Sequence, residues 1–191
     1  GTTVSASPMN STAGGSPNEV DATQGNTFGG VAIATATNDQ IFNIEDKITD
    51  GTDDTSNGLV RLVDGQVYVT VAKGDINAGI DKAASGDTVN LQTGTYTLPS
   101  TLTIGKSLSL VGAGEGATTI DGSGMTFGNA MRVEADNVSL GGFTLETSVN
   151  GFNGISVSKS SGFDGNGFPL SGQGVKNFSI AKVTINEHAA G

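Results

Sequence analysis

Apolar and polar residues alternate in short runs along most of the chain. In the stretch SGDTVNLQTGTYTL, Val89 and Leu91 form one apolar pair and Tyr96 and Leu98 form another, with Gly94 between them. Alternation of this kind is typical of half-buried strands. Glycine adopts a positive φ at low steric cost, as a sharp bend requires. The pattern therefore predicts two short strands joined by a corner at Gly94.

The same succession of elements occurs twice in the sequence. Each copy begins with two isoleucines one helical turn apart and continues with two apolar runs separated by a glycine. The motif Leu62-x-x-Gly65 matches Leu91-x-x-Gly94 at a period of 29. We expect each copy to fold as helix, strand, corner and strand. The predicted helices lie at residues 44–50 and 76–84.

Beyond residue 98 the apolar pairs recur without a helix. The interval from Leu140 to Ile180 is longer than that from Leu110 to Leu140, which fits stacked coils if residues 158–174 form a loop. A repeat of this length is typical of a solenoid. The predicted inward pairs are Leu102 and Ile104, Met131 and Val133, and Ile155 and Val157 in one set, with Leu108 and Leu110, Val138 and Leu140, and Phe178 and Ile180 in the other.

Asparagines occupy the same place in two successive coils. Asn137 and Asn177 each come one residue before the second apolar pair, and Ser107 has this place in the coil before. Stacked corner asparagines can bond to one another and satisfy backbone groups at the bend. Both residues also lie in N-x-S sequons, as Asn10 lies in N-S-T. We favour the structural ladder for the first two and regard Asn10 as the candidate for modification.

The segment 1–40 differs from the rest of the chain in having few large apolar side chains. In the run GGVAIATAT, Val31, Ile33 and Thr35 alternate with alanines, which predicts a strand of small side chains packed on another surface. We expect residues 1–40 to form an extended segment and residues 41–191 to form the solenoid. Val31, Ile33 and Thr35 are the candidate contacts of a subunit connector that docks by strand addition.

Composition and charge restrict the possible functions. The chain has 30 glycines, no cysteine and no tryptophan, which favours an all-β fold without disulfides or thiolate metal sites. Its 9 basic and 19 acidic residues give a net charge of -10, which argues against nucleic acid and anionic membranes as partners.

The sequence also bears on location. No apolar run approaches the roughly 18 residues that predict a membrane-spanning helix, so we expect no membrane insertion. The chain begins at Gly1, as it would after removal of a secretion signal. We therefore expect an extracellular or cell-surface protein.

The segment INAGIDKAASGDTVNLQTGTYT, followed by LTIGKSLSLVGAGEGATTIDG, resembles the opening of right-handed parallel β-helix proteins of the pectin-lyase-like superfamily. The resemblance extends over residues 75 to 185. It implies an all-β fold, a right-handed parallel β-helix with short N-terminal capping helices. It implies little about activity, because the same scaffold carries lyases, hydrolases, tailspikes, adhesins and structural proteins.

The outward positions of the predicted coils show no catalytic set. Arg132 lies in a row with Thr103 and Ser156, and Glu134 lies in the next row. An exposed ion pair between Arg132 and Glu134 is the favoured interpretation. Asp121 and Asp136 occupy turn positions where aspartate commonly bonds to local backbone groups. We therefore assign no catalytic residues and expect the protein not to be an enzyme.

Two polar segments are candidates for binding. The acidic run from Asp50 to Gly58 has some calcium-ligand character, but its spacing departs from that of a calcium loop, and a solvated turn is favoured. We assign no cofactor. In the loop at 158–174, Phe163, Asp164 and Phe168 are the candidate contacts for a glycan or a partner. An apolar fold-back of this loop over its own coil is the open alternative.

These observations lead to an expectation about function. The helical segments can cap the first end of a solenoid, whereas no such segment follows Val183 and Ile185. We expect an extracellular structural protein that self-associates, head to tail, into a filament or surface fibre. The alternative is the N-terminal part of a polysaccharide-binding or polysaccharide-cleaving β-helix protein or adhesin.

Overall fold

The computed structural model describes residues 19–23, 25–126, 128–148, 154–159 and 174–188. In these residues, short strands account for most of the regular structure and are accompanied by two α-helices and one 3-10 turn. The prediction of a strand-rich fold is confirmed. The chain divides into two units, Gly1–Gln92 and Thr93–Gly191.

The first unit combines short strands with both helices. Its elements are β1 (Val20–Asp21), β2 (Thr27–Phe28), β3 (Val31–Ala32), a 3-10 turn (Ile33–Thr35), α1 (Asn38–Glu45), β4 (Val60–Arg61), β5 (Gln66–Val69), α2 (Ile76–Lys82) and β6 (Thr88–Leu91). A core of apolar side chains joins α1 to the strands. Within it the Phe42 ring packs edge-on against Tyr68, with 5.1 Å between the ring centroids.

Helix α1 begins earlier than predicted. A capping box fixes its start: the Thr37 hydroxyl accepts from the Gln40 backbone N–H, and the Gln40 side chain accepts from the Thr37 N–H. The helix ends at Glu45, so the predicted boundaries of 44–50 are wrong. Ile44 faces the core from the last turn, and Ile48 packs against that core from beyond the helix. Helix α2 lies within the predicted range of 76–84.

The register between the two copies of the repeat also differs from the prediction. β5 and β6 pair in parallel, with Val67 opposite Val89 and Val69 opposite Leu91. The stacking interval is therefore shorter than the predicted period of 29. β4, which contains the residue before Leu62, pairs with β1 instead. The motifs Leu62-x-x-Gly65 and Leu91-x-x-Gly94 therefore mark similar bends of the chain. These bends do not lie opposite each other in the strand register.

The predicted strand in GGVAIATAT is wrong beyond Ala32. β3 pairs with β2 in a short antiparallel hairpin, and the chain then turns through the 3-10 segment. The Ala36 N–H donates to the Ile33 carbonyl and closes this turn. Ile33 is buried in the core of the first unit. The alternating pattern predicted a strand here, but the chain buries Ile33 from the 3-10 turn instead.

The second unit consists of parallel strands that pair side by side in register. We use the word rung for the strands that lie at one level of this stack. Its strands are β7 (Gly94–Thr97), β8 (Leu102–Ile104), β9 (Leu108–Val111), β10 (Thr118–Gly122), β11 (Met131–Val133), β12 (Val138–Ser148), β13 (Ile155–Val157) and β14 (Ser179–His188). β11 pairs with β8 and β13. β12 pairs with β9 through its first residues and with β10 through its last ones. β14 pairs with β12 along most of its length.

The registers confirm that the predicted apolar residues stack in rows from Leu102 to Val157 and from Leu108 to Ile180. The prediction that all of them face inward is wrong for Val157 and Ile180, which are 40% and 45% exposed. Leu102 stacks on Met131 and Met131 on Ile155. Leu110 stacks on Leu140, and Leu140 on Ile180, as their intervals in the sequence predict. A third row, which the sequence analysis did not assemble, consists of Tyr96, Ile120, Leu145 and Ile185.

Glycines form the bend in the middle of β12. Gly142 has a φ of 71° and lies against the backbone of Gly112, so that a Cβ on Gly142 would clash with the Gly112 carbonyl oxygen. Lys182 takes the corresponding place in β14, with a φ of 54°. Gly94 has a φ of 137°, which fits the corner predicted there.

Candidate functional site

Strands β13 and β14 expose apolar side chains. The side chains at the same register positions of the preceding strands are buried. Leu145 is fully buried, whereas Ile185, its partner in β14, is 49% exposed. Leu140 is 1% exposed and its partner Ile180 is 45% exposed. Val157 of β13 is exposed as well. We use the name terminal rung for β13 and β14 with their exposed side chains Val157, Ile180 and Ile185.

Within the described residues, β13 and β14 each lie at an edge of their sheet. Among the strands of the described residues, β14 pairs with β12 alone and β13 pairs with β11 alone. The outer edge of each strand therefore presents N–H and C=O groups that no described strand binds. An exposed edge with apolar side chains beside it is suited to strand addition.

Polar side chains fix the terminal rung to the rung below it. The Asn177 amide donates to the Asn137 side-chain oxygen at 2.8 Å, and both residues have a positive φ. The Ser179 hydroxyl donates to Ser139 at 3.0 Å. The predicted asparagine ladder is confirmed for this pair.

Asp136 binds residues on both sides of the segment 160–173. The Lys159 ammonium donates to its carboxylate at 2.7 Å, and the Lys176 backbone N–H donates at 2.7 Å. The hydrogen bond from Lys159, followed by that from Lys176, lowers the pKa of Asp136. The expected local turn bond is therefore wrong for Asp136. It is confirmed for Asp121, which accepts from the Ser123 N–H at 2.9 Å.

The candidate glycan contacts Phe163, Asp164 and Phe168 lie outside the described residues, as does the sequon asparagine Asn10. Their assignment stays a prediction. The structure describes the residues that flank this loop, and Asp136 holds both flanks. One side chain therefore binds a residue before this segment and a residue after it.

The candidate connector residues are placed in the first unit. Val31 pairs with Phe28 in the β2–β3 hairpin, and Ile33 is 5% exposed. Thr35, at the end of the 3-10 turn, is exposed. The side chain of Ile33 thus packs in the apolar core of the first unit.

The outward row contains the predicted exposed ion pair. Arg132 donates to Glu134 at 3.2 Å, and the Arg132 side chain is 46% exposed. Thr103, Arg132 and Ser156 lie opposite one another in the register of β8, β11 and β13.

The acidic run from Asp50 forms an internally bonded turn. Asp50 is 1% exposed, so the expectation of a solvated turn is wrong for this residue. Its carboxylate accepts from the Thr52 N–H at 2.8 Å and the Val60 N–H at 2.7 Å. In the part of the chain that the structure describes, no three histidine, cysteine or acidic side chains are placed to hold a metal ion.

Glu45 is the titratable residue that sequence reasoning missed. It closes α1 and is 3% exposed, next to the buried Asp50. Burial, followed by the charges of Asp50 and Asp53, raises its pKa from 4.5 to about 8. The sequence IEDKITD carries no periodic signal for this burial, which depends on how the later loop packs on the helix.

Comparisons with known proteins add no assignment. No family model, no curated protein and no solved structure matches the chain. Within the described residues, neither helix has the length and apolar character needed to cross a membrane.

Proposed function

We propose that the chain is a right-handed parallel β-helix of the pectin-lyase-like kind and serves as an extracellular structural protein that self-associates through its terminal rung. The parallel registers of β8, β11 and β13, and of β9, β12 and β14, support the β-helix. The extracellular assignment continues the expectation from the sequence, in which no apolar run is long enough to predict a membrane-spanning helix.

The exposure of Ile180 and Ile185 carries the proposal of self-association. Each stacks on a leucine that is at most 1% exposed, so the same row changes from buried to half-exposed within one rung. A strand of a second copy, added to the edge of β14, would bury both isoleucines and bond to the backbone groups that no described strand binds. Head-to-tail addition repeats without closing and builds a filament.

Sedimentation velocity tests this proposal with the double substitution Ile180→Lys and Ile185→Lys. We expect the unmodified chain to sediment as multiples of its 19.0 kDa mass and the double variant to sediment as one subunit. Val111→Lys is the matched control, since Val111 is 37% exposed but lies in β9, away from the terminal rung. Circular dichroism verifies that each variant keeps its strand content.

Two outcomes would contradict the proposal. An unmodified chain that remains a 19.0 kDa monomer at high concentration would overturn self-association. Association lost equally in the Val111→Lys control would assign it to general surface charge. Negative-stain electron microscopy separates the two geometries, because fibres support head-to-tail addition, whereas discrete dimers would replace the filament by a closed pairing of two terminal rungs.

A further inference from the structure

Glu45 lies where the C-terminal end of α1 meets the loop that follows it. Its side chain is buried, and the charged groups that face it are Asp50 and Asp53 of that loop and Lys73 of the turn after β5. Thr52 lies between the two buried carboxyl groups. Its hydroxyl oxygen is 2.9 Å from Asp50 Oδ1 and 3.5 Å from Glu45 Oε1.

The Thr52 hydroxyl cannot donate a hydrogen bond to both carboxylates at once. The Thr52 hydroxyl has one proton to donate. The Thr52 hydroxyl lies closer to Asp50, at 2.9 Å, than to Glu45, at 3.5 Å, so Asp50 is the better acceptor for that proton. An ionised Glu45 would then face the lone pairs of Thr52 without a donor. A protonated Glu45 donates to Thr52 and completes the chain to Asp50.

We propose that Glu45 is a proton-dependent lock that fastens α1 to the loop at residues 50–58. With the proton present, Glu45 donates to the Thr52 hydroxyl, and Thr52 donates to the Asp50 carboxylate. When the proton passes to solvent, two carboxylates compete for one hydroxyl in a buried site, and α1 separates from the loop more readily. Since α1 covers the core of the first unit, the lock controls how often that core opens.

The pH range of the lock follows from the pKa of Glu45 in the two states. The carboxyl titrates near its ordinary value of 4.5 when α1 is open and at about 8 when it is closed. Between these values the closed state binds one proton more than the open state. The closing equilibrium therefore weakens by about tenfold for each pH unit and becomes level above pH 8. The closed position of α1 on the loop is therefore strongly favoured at mildly acidic pH and weakly favoured at mildly alkaline pH.

Native-state hydrogen exchange of the α1 amides tests the lock. In the unmodified chain we expect the protection factors of Ile41 to Glu45 to fall by about tenfold per unit from pH 5 to pH 8. In Glu45→Gln the amide still donates to Thr52 but does not titrate, so protection should stay constant over this range. Asp39→Asn is the control, because it removes one exposed charge from the same helix and should keep the slope of the unmodified chain.

A second measurement needs no variant. A carbon NMR titration of the Glu45 carboxyl group should give a midpoint near 8. A midpoint near 4.5 would overturn the proposal, whatever the stability of the Glu45→Gln variant. Parallel slopes of protection against pH in the unmodified chain and in Glu45→Gln would overturn it as well.

Discussion

Backbone conformation at single residues limits the stability of the corners. Among the described residues, the non-glycine residues with positive φ are Asn137, Asn177 and Lys182. Asparagine tolerates this conformation because its side chain bonds locally, whereas lysine has no such compensation. Lys182 occupies the place that Gly142 has in the rung below. The strand that carries the terminal rung therefore contains a strained residue.

Lys182→Gly should relieve this strain. The left-handed conformation costs a non-glycine residue about 1–2 kcal/mol, and the greater entropy of glycine in the unfolded chain offsets about 0.5–1 kcal/mol of the gain. We expect the free energy of unfolding to rise by about 0.5 kcal/mol. Urea denaturation at constant pH measures this change through the transition midpoint.

The matched variant in the neighbouring rung should have the opposite effect. Gly142→Ala introduces a Cβ at a positive φ and against the Gly112 carbonyl oxygen. We expect a loss of about 2 kcal/mol or more from strain and displacement of the backbone. Stabilisation by Gly142→Ala, or destabilisation by Lys182→Gly, would contradict this account of the corner.

Arg61 joins several elements of the first unit. Its guanidinium pairs with Glu19, next to β1, and with Asp87, next to β6, at 2.9 Å from the Asp87 carboxylate. It also donates to the Gln66 carbonyl at 3.2 Å. The Arg61 side chain is buried, so water gives little compensation when one partner is removed.

Arg61→Met should therefore destabilise the chain strongly. Methionine keeps most of the volume but leaves the buried Asp87 carboxylate without its cation, which costs about 3 kcal/mol. Arg132→Met provides the comparison, because it breaks the exposed pair with Glu134 and should cost less than about 1 kcal/mol. Equal shifts of the urea midpoint in the two variants would show that burial does not determine the strength of the pair.

The element scale also shows what the sequence could predict. The rows through Leu110, Leu140 and Ile180 were predictable because alternation and a regular spacing both follow from stacking. The start of α1 was predictable in principle, since Thr37 and Gln40 form a capping-box pattern that the spacing of Ile44 and Ile48 outweighed. The burial of Glu45 was not, because it depends on contacts between segments with no common periodicity.

At the scale of the whole molecule, titratable groups make the stability of the folded chain depend on pH in opposite directions. The pKa values of Asp21, Asp54 and Asp136 are lowered, mainly by hydrogen bonds from side chains. These groups stabilise the folded chain above their ordinary pKa, and that contribution is lost as the pH falls through their lowered values. Glu45 acts inversely, because its raised pKa favours folding at lower pH.

The melting temperature should therefore have its maximum near pH 5 and should be lower at pH 8. The net charge of -10 at pH 7 adds to this trend, because acid reduces the repulsion among carboxylates. Scanning calorimetry from pH 3 to pH 9 measures the profile, and Glu45→Gln should reduce the decline between pH 5 and pH 8. A melting temperature that rises steadily from pH 5 to pH 8 would contradict this prediction.

Successive strands of the second unit stay in register although different numbers of residues separate them. Thr95, Thr119, Thr144 and Thr184 lie opposite one another in the sheet, and the last interval in sequence is much longer than the two before it. Lys159 and Lys176, which lie within this longest interval, both bond to Asp136. We therefore expect that a peptide of another sequence and length can replace the residues between Lys159 and Lys176 while β12 and β14 keep their register.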